Sequence, residues 1–423
     1  MKERSFYRSI CTYICALGIT TAIGFMLLAL SLFLPQDKIH QHVVESTWYM
    51  QQEGLYPLVA DRTRSSMLDN WSESMILMES DCMNLENRSY ILTNPLFHYD
   101  GEYDPLNFLT QYVEDESPEP SEFYTRYWMG FRSIYRLLLT FFHHYQIKTY
   151  MSAGLLVLFS LVLAQICKNV DYGTAVAFAI SMALVKFNII SVSIQYSCCF
   201  FIALLGMLLV PWISRNTKYE ALFFAELGMI TMYFDFYTTP IVTFGLPIIY
   251  LYMLNLSSGE SFGMMRVVKN AVWWFCSYVG MWITKLLLTA MFTSAPSFDA
   301  AFSQAGMWLG VGGNKDSSYE YDSLKALKCV WESVVVDAAG AKIAIGLLIF
   351  LLLLIVYLVW NKKIDFQACR KNATLLLIVF LTIGWFCVAA QPTIIHSFFQ
   401  YRSIAVAFWA TGIYFIQMLK KRE

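Results

Sequence analysis

Long apolar runs, most about the length that a bilayer core demands, alternate along this chain with short polar links. A hydrocarbon core of about 30 Å takes roughly 20 apolar residues as a helix. Runs at 12–34, 147–167, 170–190, 193–213, 219–236, 238–255, 268–293, 341–360, 372–391 and 397–418 approach or meet that length. The pattern predicts an all-α polytopic membrane protein of about ten transmembrane helices. Some pairs are joined very tightly, at Lys168 and Asn169 and around Asp235 and Phe236. Two long polar stretches interrupt the series. The first contains helical periodicity over 68–78 and reads as a small folded cap. The chain therefore divides into an N-terminal transmembrane helix (1–35), a loop or cap with an interfacial amphipathic helix (36–146), helices two to seven (147–293), a second large loop (294–340) and helices eight to ten (341–423).

Charge gives this series an orientation. Alternating the spans from a cytoplasmic N-terminus puts Lys2, Arg4 and Arg8 inside, then Lys168, Arg215 with Lys218, and Arg266 with Lys269. Lys362, Lys363, Arg370 and Lys371 follow, and finally Lys420, Lys421 and Arg422. Every segment placed inside is basic, as the positive-inside rule asks. Both termini are thus expected in the cytoplasm and both large loops outside it. The apolar run after Arg8 is too long for a signal-peptide core and no small-residue cleavage site closes it, so it reads as an uncleaved first helix. Short cytoplasmic loops of this kind fit a bacterial inner membrane.

Composition agrees. Apolar residues make up 57% of the chain and charged ones 14%, against about 25% charged in soluble domains. The mean hydropathy is +0.49. Lipid must cover much of such a surface. The net charge of −1 hides the segregation just described. No Lys/Arg-rich block points to nucleic acid. The 10 cysteines form no CxxC pair and no Cys/His ligand spacing, which argues against zinc. Cys82 and Cys329 lie in the two large loops and would pair only if those loops meet; chance placement is the simpler account.

Ionisable residues at membrane depth are functional candidates because burying their charge is expensive. Lys186, Glu226, Asp235 and Lys285 lie within spans, and His396 and Arg402 open the last one. All but Glu226 fall in the outer half, which suggests one site at the outer face rather than a pathway through the bilayer. Asp235, in Tyr-Phe-Asp-Phe-Tyr-Thr-Thr-Pro, either orients a polar substrate or caps the helix that follows. Lys186 and Lys285 either hold a lipid phosphate or snorkel to the headgroups. His396 and Arg402 offer a phosphate contact or an interfacial anchor. In the first loop, Asp69 and Glu73 share a helical face, where two like charges cost stability. They are either general-base candidates or an ordinary acidic face. Residues 123–136, preceded by Ser117 and Pro120, interleave aromatics with Arg126, Arg132 and Arg136. They read as an amphipathic helix on the outer leaflet, whose arginines could also meet a lipid phosphate.

One N-terminal span, a large acidic outer loop, then many spans with basic residues near the outer face: this layout resembles the GT-C superfamily of membrane glycosyltransferases. The resemblance covers nearly the whole chain and is architectural. It implies inverting transfer of a sugar from a polyprenyl-phosphate-linked donor to a glycan or lipid acceptor at the extracytoplasmic face. It further implies that an outer-loop acid activates the acceptor: Asp69, with Glu73 as substitute and Asp37 and Glu45 as weaker rivals. Many members carry such an acid soon after the first span, whereas Asp69 lies well beyond it. Lys285, Arg402 and Lys186 would stabilise the departing phosphate, and residues 126–136 would guide the carrier. No cofactor is required, and a divalent metal is compatible. A transporter or flippase of lipid-linked glycan would need polar groups along a transmembrane path, and the inner halves of the spans are nearly bare of charge. An acyltransferase acting on surface polysaccharide would need a histidine base, for which His396 alone lies at a suitable depth.

Overall fold

The structure is a computed structural model that describes residues 2–59, 63–308, 321–335, 356–357, 359–361 and 363–419. The span expected at 341–360 falls almost wholly outside the described residues, as do Lys362, Lys420, Lys421 and Arg422. The described chain is nearly all helix. A first helix, α1 (Lys2–Ser31), leads into a polar region built from α2 (Gln36–Glu53), α3 (Asn70–Asp81), α4 (Tyr90–Thr93), α5 (Pro105–Glu114) and α6 (Phe131–Leu139). An apolar series follows: α7 (His144–Asn169), α8 (Tyr172–Leu184), α9 (Phe187–Ile190), α10 (Ile194–Arg215), α11 (Glu220–Phe234), α12 (Ile241–Ser257) and α13 (Met264–Phe292). After α14 (Ser297–Trp308) and α15 (Ser323–Val335), the chain ends in Phe366–Lys371, Ala373–Val388, Ala390–Ile395, Ser397–Gln400 and Ala405–Met418.

Among the described residues, 4 helices are long and apolar enough to cross a membrane: Ile10–Ser31 within α1, then α7, α10 and α13. The helices α8, α12 and Ala373–Val388 are apolar but shorter. Local chemistry sets several starts. Asp69 accepts from the Ser72 N–H ahead of α3, Asp171 from Thr174 ahead of α8, and Ser193 from Tyr196 ahead of α10. Asp104 caps α5, with Pro105 in the first turn, where its missing N–H costs nothing.

The polar region has its own core. Ile39 and Val43 of α2, Ile76 and Leu77 of α3, Leu109 of α5 and Leu139 of α6 bury together, and Ile147 of α7 and Ile194 of α10 join them. The apolar helices pack through small and hydroxyl residues, as helices do in lipid, where close backbone approach replaces the hydrophobic drive. On α11, a Cβ at Gly228 would lie 2.2 Å from the Trp274 carbonyl oxygen of α13. Trp274 Nε1 donates to Thr243 of α12 at 3.0 Å, and Thr231 of α11 donates to the same hydroxyl at 2.7 Å. α1 is tied to α11 by Tyr233 OH donating to the Gly24 carbonyl at 2.7 Å and by Thr20 donating to Glu226 at 2.9 Å.

Several expected elements differ. The amphipathic helix expected over 123–136 starts only at Phe131; before it, Glu122–Phe123 pairs antiparallel with Pro95–Leu96. Helix cannot run through Met129, whose φ is 51°. At Gly130 the N–H donates to the Tyr233 carbonyl at 2.9 Å, and a Cβ there would meet the Tyr233 ring at 2.3 Å. The helix that does form is turned the opposite way to expectation. Arg132 and Arg136 are fully buried, while Ile134 and Leu137 are exposed. The run at 170–190 breaks at Lys186, which takes φ 55° between α8 and α9. The run at 397–418 is likewise divided by a 3₁₀ turn at Tyr401–Ile404. Cys82 and Cys329 are not bridged.

Gly228→Ala is expected to force α11 and α13 apart and destabilise the protein by about 1–3 kcal/mol, the usual cost of overpacking. A lowered thermal midpoint in detergent micelles is the readout; an unchanged midpoint would show that the interface can open at no cost.

Candidate functional site

Where the polar region meets the apolar helices, the chain encloses a cavity of about 390 Å³. Six stretches contribute: α3, residues 124–129, the first turn of α10, residues 236–237, α14 and residues 391–400. Its walls are rings and amides. Trp71, Tyr124, Tyr127, Tyr237 and Phe399 supply the rings; Gln195, Gln304, Gln391 and Gln400 supply the amides. Arg126 brings a cation, held 4.3 Å from the Tyr124 ring centre and donating to Gln304 Oε1. Its carbonyl accepts from Trp282 Nε1 at 2.9 Å, which pins this otherwise irregular segment to α13.

Among the described residues, one acidic side chain lines this cavity, Glu79 of α3. The residue is 2% exposed, and Oε2 has no hydrogen-bond partner among the described residues. Leaving a buried polar atom unpaired costs about 1–3 kcal/mol, more for a charged group. Burial pushes the carboxyl up to about 7, against the pull of the Arg132 and Lys285 charges. Glu79 shares the cavity-lining face of α3 with Ser72 and Ile76, at helical spacing. Extending the periodicity read at 68–78 by one turn would have found it.

Asp69 and Glu73, expected as acceptor-activating acids, are otherwise engaged. Asp69 caps α3: its Oδ1 accepts from the Ser72 N–H at 3.2 Å and its Oδ2 from the Ser72 hydroxyl at 2.8 Å. Burial raises its carboxyl to about 6, with the Ser72 hydrogen bonds opposing. Asp69 itself does not line the cavity, but the Ser72 it holds does. Glu73 is fully buried, with three hydrogen bonds and an ion pair. Its Oε1 accepts from the Ser193 hydroxyl at 2.8 Å and the Ile194 N–H at 3.0 Å. Its Oε2 lies 2.9 Å from His144 Nε2 and 3.3 Å from Lys148 Nζ. His144 Nδ1 in turn meets Tyr135 OH at 2.8 Å. Burial pushes the Glu73 carboxyl up, but Lys148 and the hydrogen bonds from His144 and Ser193 outweigh it and hold the group at about 2.

The basic residues expected to hold phosphate divide sharply. Of Arg126, Arg132, Lys186, Lys285 and Arg402, only Arg126 lines the cavity. Arg132 donates to the Tyr90 and Ile91 carbonyls at 3.3 and 3.2 Å and to Asn94 Oδ1 at 2.6 Å. Lys285 donates to the Leu92 carbonyl and to Thr289. Both cations thus serve carbonyls of α4, a helix too short to pair most of its own. Arg402 donates to the Ser65 carbonyl at 3.0 Å and the Phe398 carbonyl at 3.1 Å, beneath the Tyr196 ring at 4.4 Å. Lys186 reaches the Thr63 hydroxyl at 2.8 Å.

Asp235 behaves as a turn residue: its Oδ1 accepts from the Thr238 N–H and hydroxyl at 3.0 and 2.7 Å, and it does not line the cavity. His396 does line it, stacked on Phe399 with ring centres 5.1 Å apart. Burial, and then Arg64, lower its imidazole to about 4, so it faces the cavity neutral. Among the described residues, no three His, Cys, Asp or Glu side chains gather into a metal-binding group.

Glu73→Ala would leave Lys148 buried without its counter-ion and His144 without its hydrogen-bond acceptor, and is expected to cost about 3–5 kcal/mol. Linkage gives a pH signature as well. The folded-state carboxyl lies below its ordinary value of 4.5, so its stabilisation is complete above that pH and is lost as pH falls towards about 2. Thermal midpoints measured against pH should therefore decline below about 4.5 in the wild type and less steeply in Glu73→Ala. Compared with protein-family models, with curated proteins and with solved structures, the chain finds no match.

Proposed function

We propose that this chain is an integral membrane glycosyltransferase that moves a sugar from a polyprenyl-phosphate donor to a glycan or lipid acceptor. In this reading it crosses the membrane about ten times, keeps both ends in the cytoplasm and works at the extracytoplasmic face. The supporting observation is the chemistry of the cavity between the polar region and the apolar helices. Its volume of about 390 Å³ lies at the lower end of the range for small-ligand sites. Each glutamine amide both donates and accepts, which suits the hydroxyls of a sugar. Rings such as Trp71 and Tyr237 offer flat faces for the apolar side of a pyranose. Arg126 is a fixed, planar cation of the kind that recognises phosphate oxygens.

The reading assigns donor phosphate to Arg126 and sugar hydroxyls to the amides. His396, neutral in its buried position, serves as a hydrogen-bonding group at the wall. Lys285, Arg132 and Arg402 support the walls from behind through backbone carbonyls.

Purified protein in lipid vesicles, supplied with polyprenyl-phosphate sugars carrying a radiolabel, tests the proposal by transfer to an added glycan or lipid acceptor. Wild-type protein should transfer label. Arg126→Ala should lose about 10- to 100-fold in kcat/KM, corresponding to one charge-assisted contact of roughly 1.5–3 kcal/mol. Folded wild-type protein that transfers from no donor would overturn the reading.

A further inference from the structure

We propose that Glu79 is the group that takes the proton from the acceptor hydroxyl during transfer. This rests on the glycosyltransferase reading and adds to it the identity of the base.

Elimination within the structure leads to Glu79. The oxygens of Glu73 are occupied by four partners from α7 and the start of α10. Asp69 spends both oxygens on Ser72, and Asp235 sits in the turn before α12. His396 lines the cavity, but its imidazole is held too far down to accept a proton readily at neutral pH. Among the described residues, Glu79 alone of the acids lines the cavity, and its Oε2 is buried with no hydrogen-bond partner. No other described side chain claims that oxygen, so an acceptor hydroxyl entering the cavity would satisfy it.

The step balances without a co-reactant. The ionised carboxylate of Glu79 takes the hydroxyl proton while the acceptor oxygen bonds to the anomeric carbon of the sugar. The bond from that carbon to the phosphate oxygen breaks, and its electron pair leaves on the polyprenyl phosphate. Glu79, now neutral, returns its proton to water through the cavity. The groups that set its ionisation are Arg132 on α6, Lys285 on α13, Cys82 just beyond α3, and Tyr124 and Arg126 across the cavity. A carboxyl near 7 is half ionised at neutral pH and well matched to proton transfer there.

The same vesicle assay, run from pH 5 to pH 9, tests this. Wild-type kcat should rise with pH through a limb centred near 7. Glu79→Gln, checked for a wild-type thermal midpoint, should lose about 100-fold or more in kcat with little change in KM for the donor, and should lose the limb. Glu79→Asp should restore part of the rate together with the limb. In wild-type protein, a hydrophobic carbodiimide, which attacks buried protonated carboxyls, should inactivate faster at low pH and label the peptide carrying Glu79. If the wild type transfers sugar and Glu79→Gln keeps its rate and pH profile, the assignment falls while the glycosyltransferase reading stands. If the variant is unfolded, carbodiimide labelling decides: inactivation without modification of Glu79 overturns the proposal. If the wild type transfers from no donor, the reading beneath it falls first.

Discussion

The buried carboxylate of Glu73 is the interaction on which the rest of the architecture depends. Its partners lie on α7 and at the start of α10, and through His144 it reaches Tyr135 of α6. One anion thus fixes the polar region against two of the helices long enough to cross a membrane. A charge so deeply buried is tolerable because three hydrogen bonds and the Lys148 ammonium at 3.3 Å face it. Ile147 and Ile194 bury beside it in the core of the polar region, so apolar packing and the ion network specify the same docking.

Most of the buried cations follow a related rule. Away from water, each backbone carbonyl needs a donor, and irregular chain at membrane depth survives only where protein supplies one. Short elements such as α4 and the turn at Arg64–Ser66 expose carbonyls that their own length cannot satisfy. Arg132 and Lys285 serve the first, and Arg402 the second. Such cations build walls. Arg132 and Lys285, placed behind the cavity, also lower the cost of a carboxylate at Glu79, whose Oε2 has no hydrogen-bond partner among the described residues.

The cavity is therefore polar in an economical way. Set among apolar and aromatic walls, its polar groups are four glutamine amides, an arginine steadied by an aromatic ring and a glutamine, and a neutral histidine that closes one side, besides Ser72 and Glu79. Neutral donors and acceptors recognise hydroxyls without the desolvation that a field of charges would demand. Among the described residues, a fixed cation and an acid enter the wall only at Arg126 and Glu79. Both belong to the polar region rather than to the long apolar helices, so the contacts that dock that region also position these two side chains.

By itself the sequence determined the helical character of the chain, because runs of apolar residues near bilayer length have few other ways to satisfy their backbone. It also determined many helix starts, since Asp69, Asp104, Asp171 and Ser193 cap through atoms a few residues away. Helical periodicity around 68–78 located α3, and the acid-bearing loop was recognisable as folded. Only the tertiary structure decided which charged residues meet the cavity. Position along an apolar run locates Lys285 and Arg402 towards one end of it but says nothing of the carbonyls that reach them from α4 and Ser65. The face of α6 was inverted for a similar reason: lipid rewards Ile134 and Leu137 outside, and Arg132 and Arg136 find their acceptors within the fold. Glu73 and Glu79 lie on one short helix and look alike in sequence. Partners from distant segments surround the first and, among the described residues, leave Oε2 of the second without a hydrogen bond, and contacts between distant segments are what local pattern does not encode.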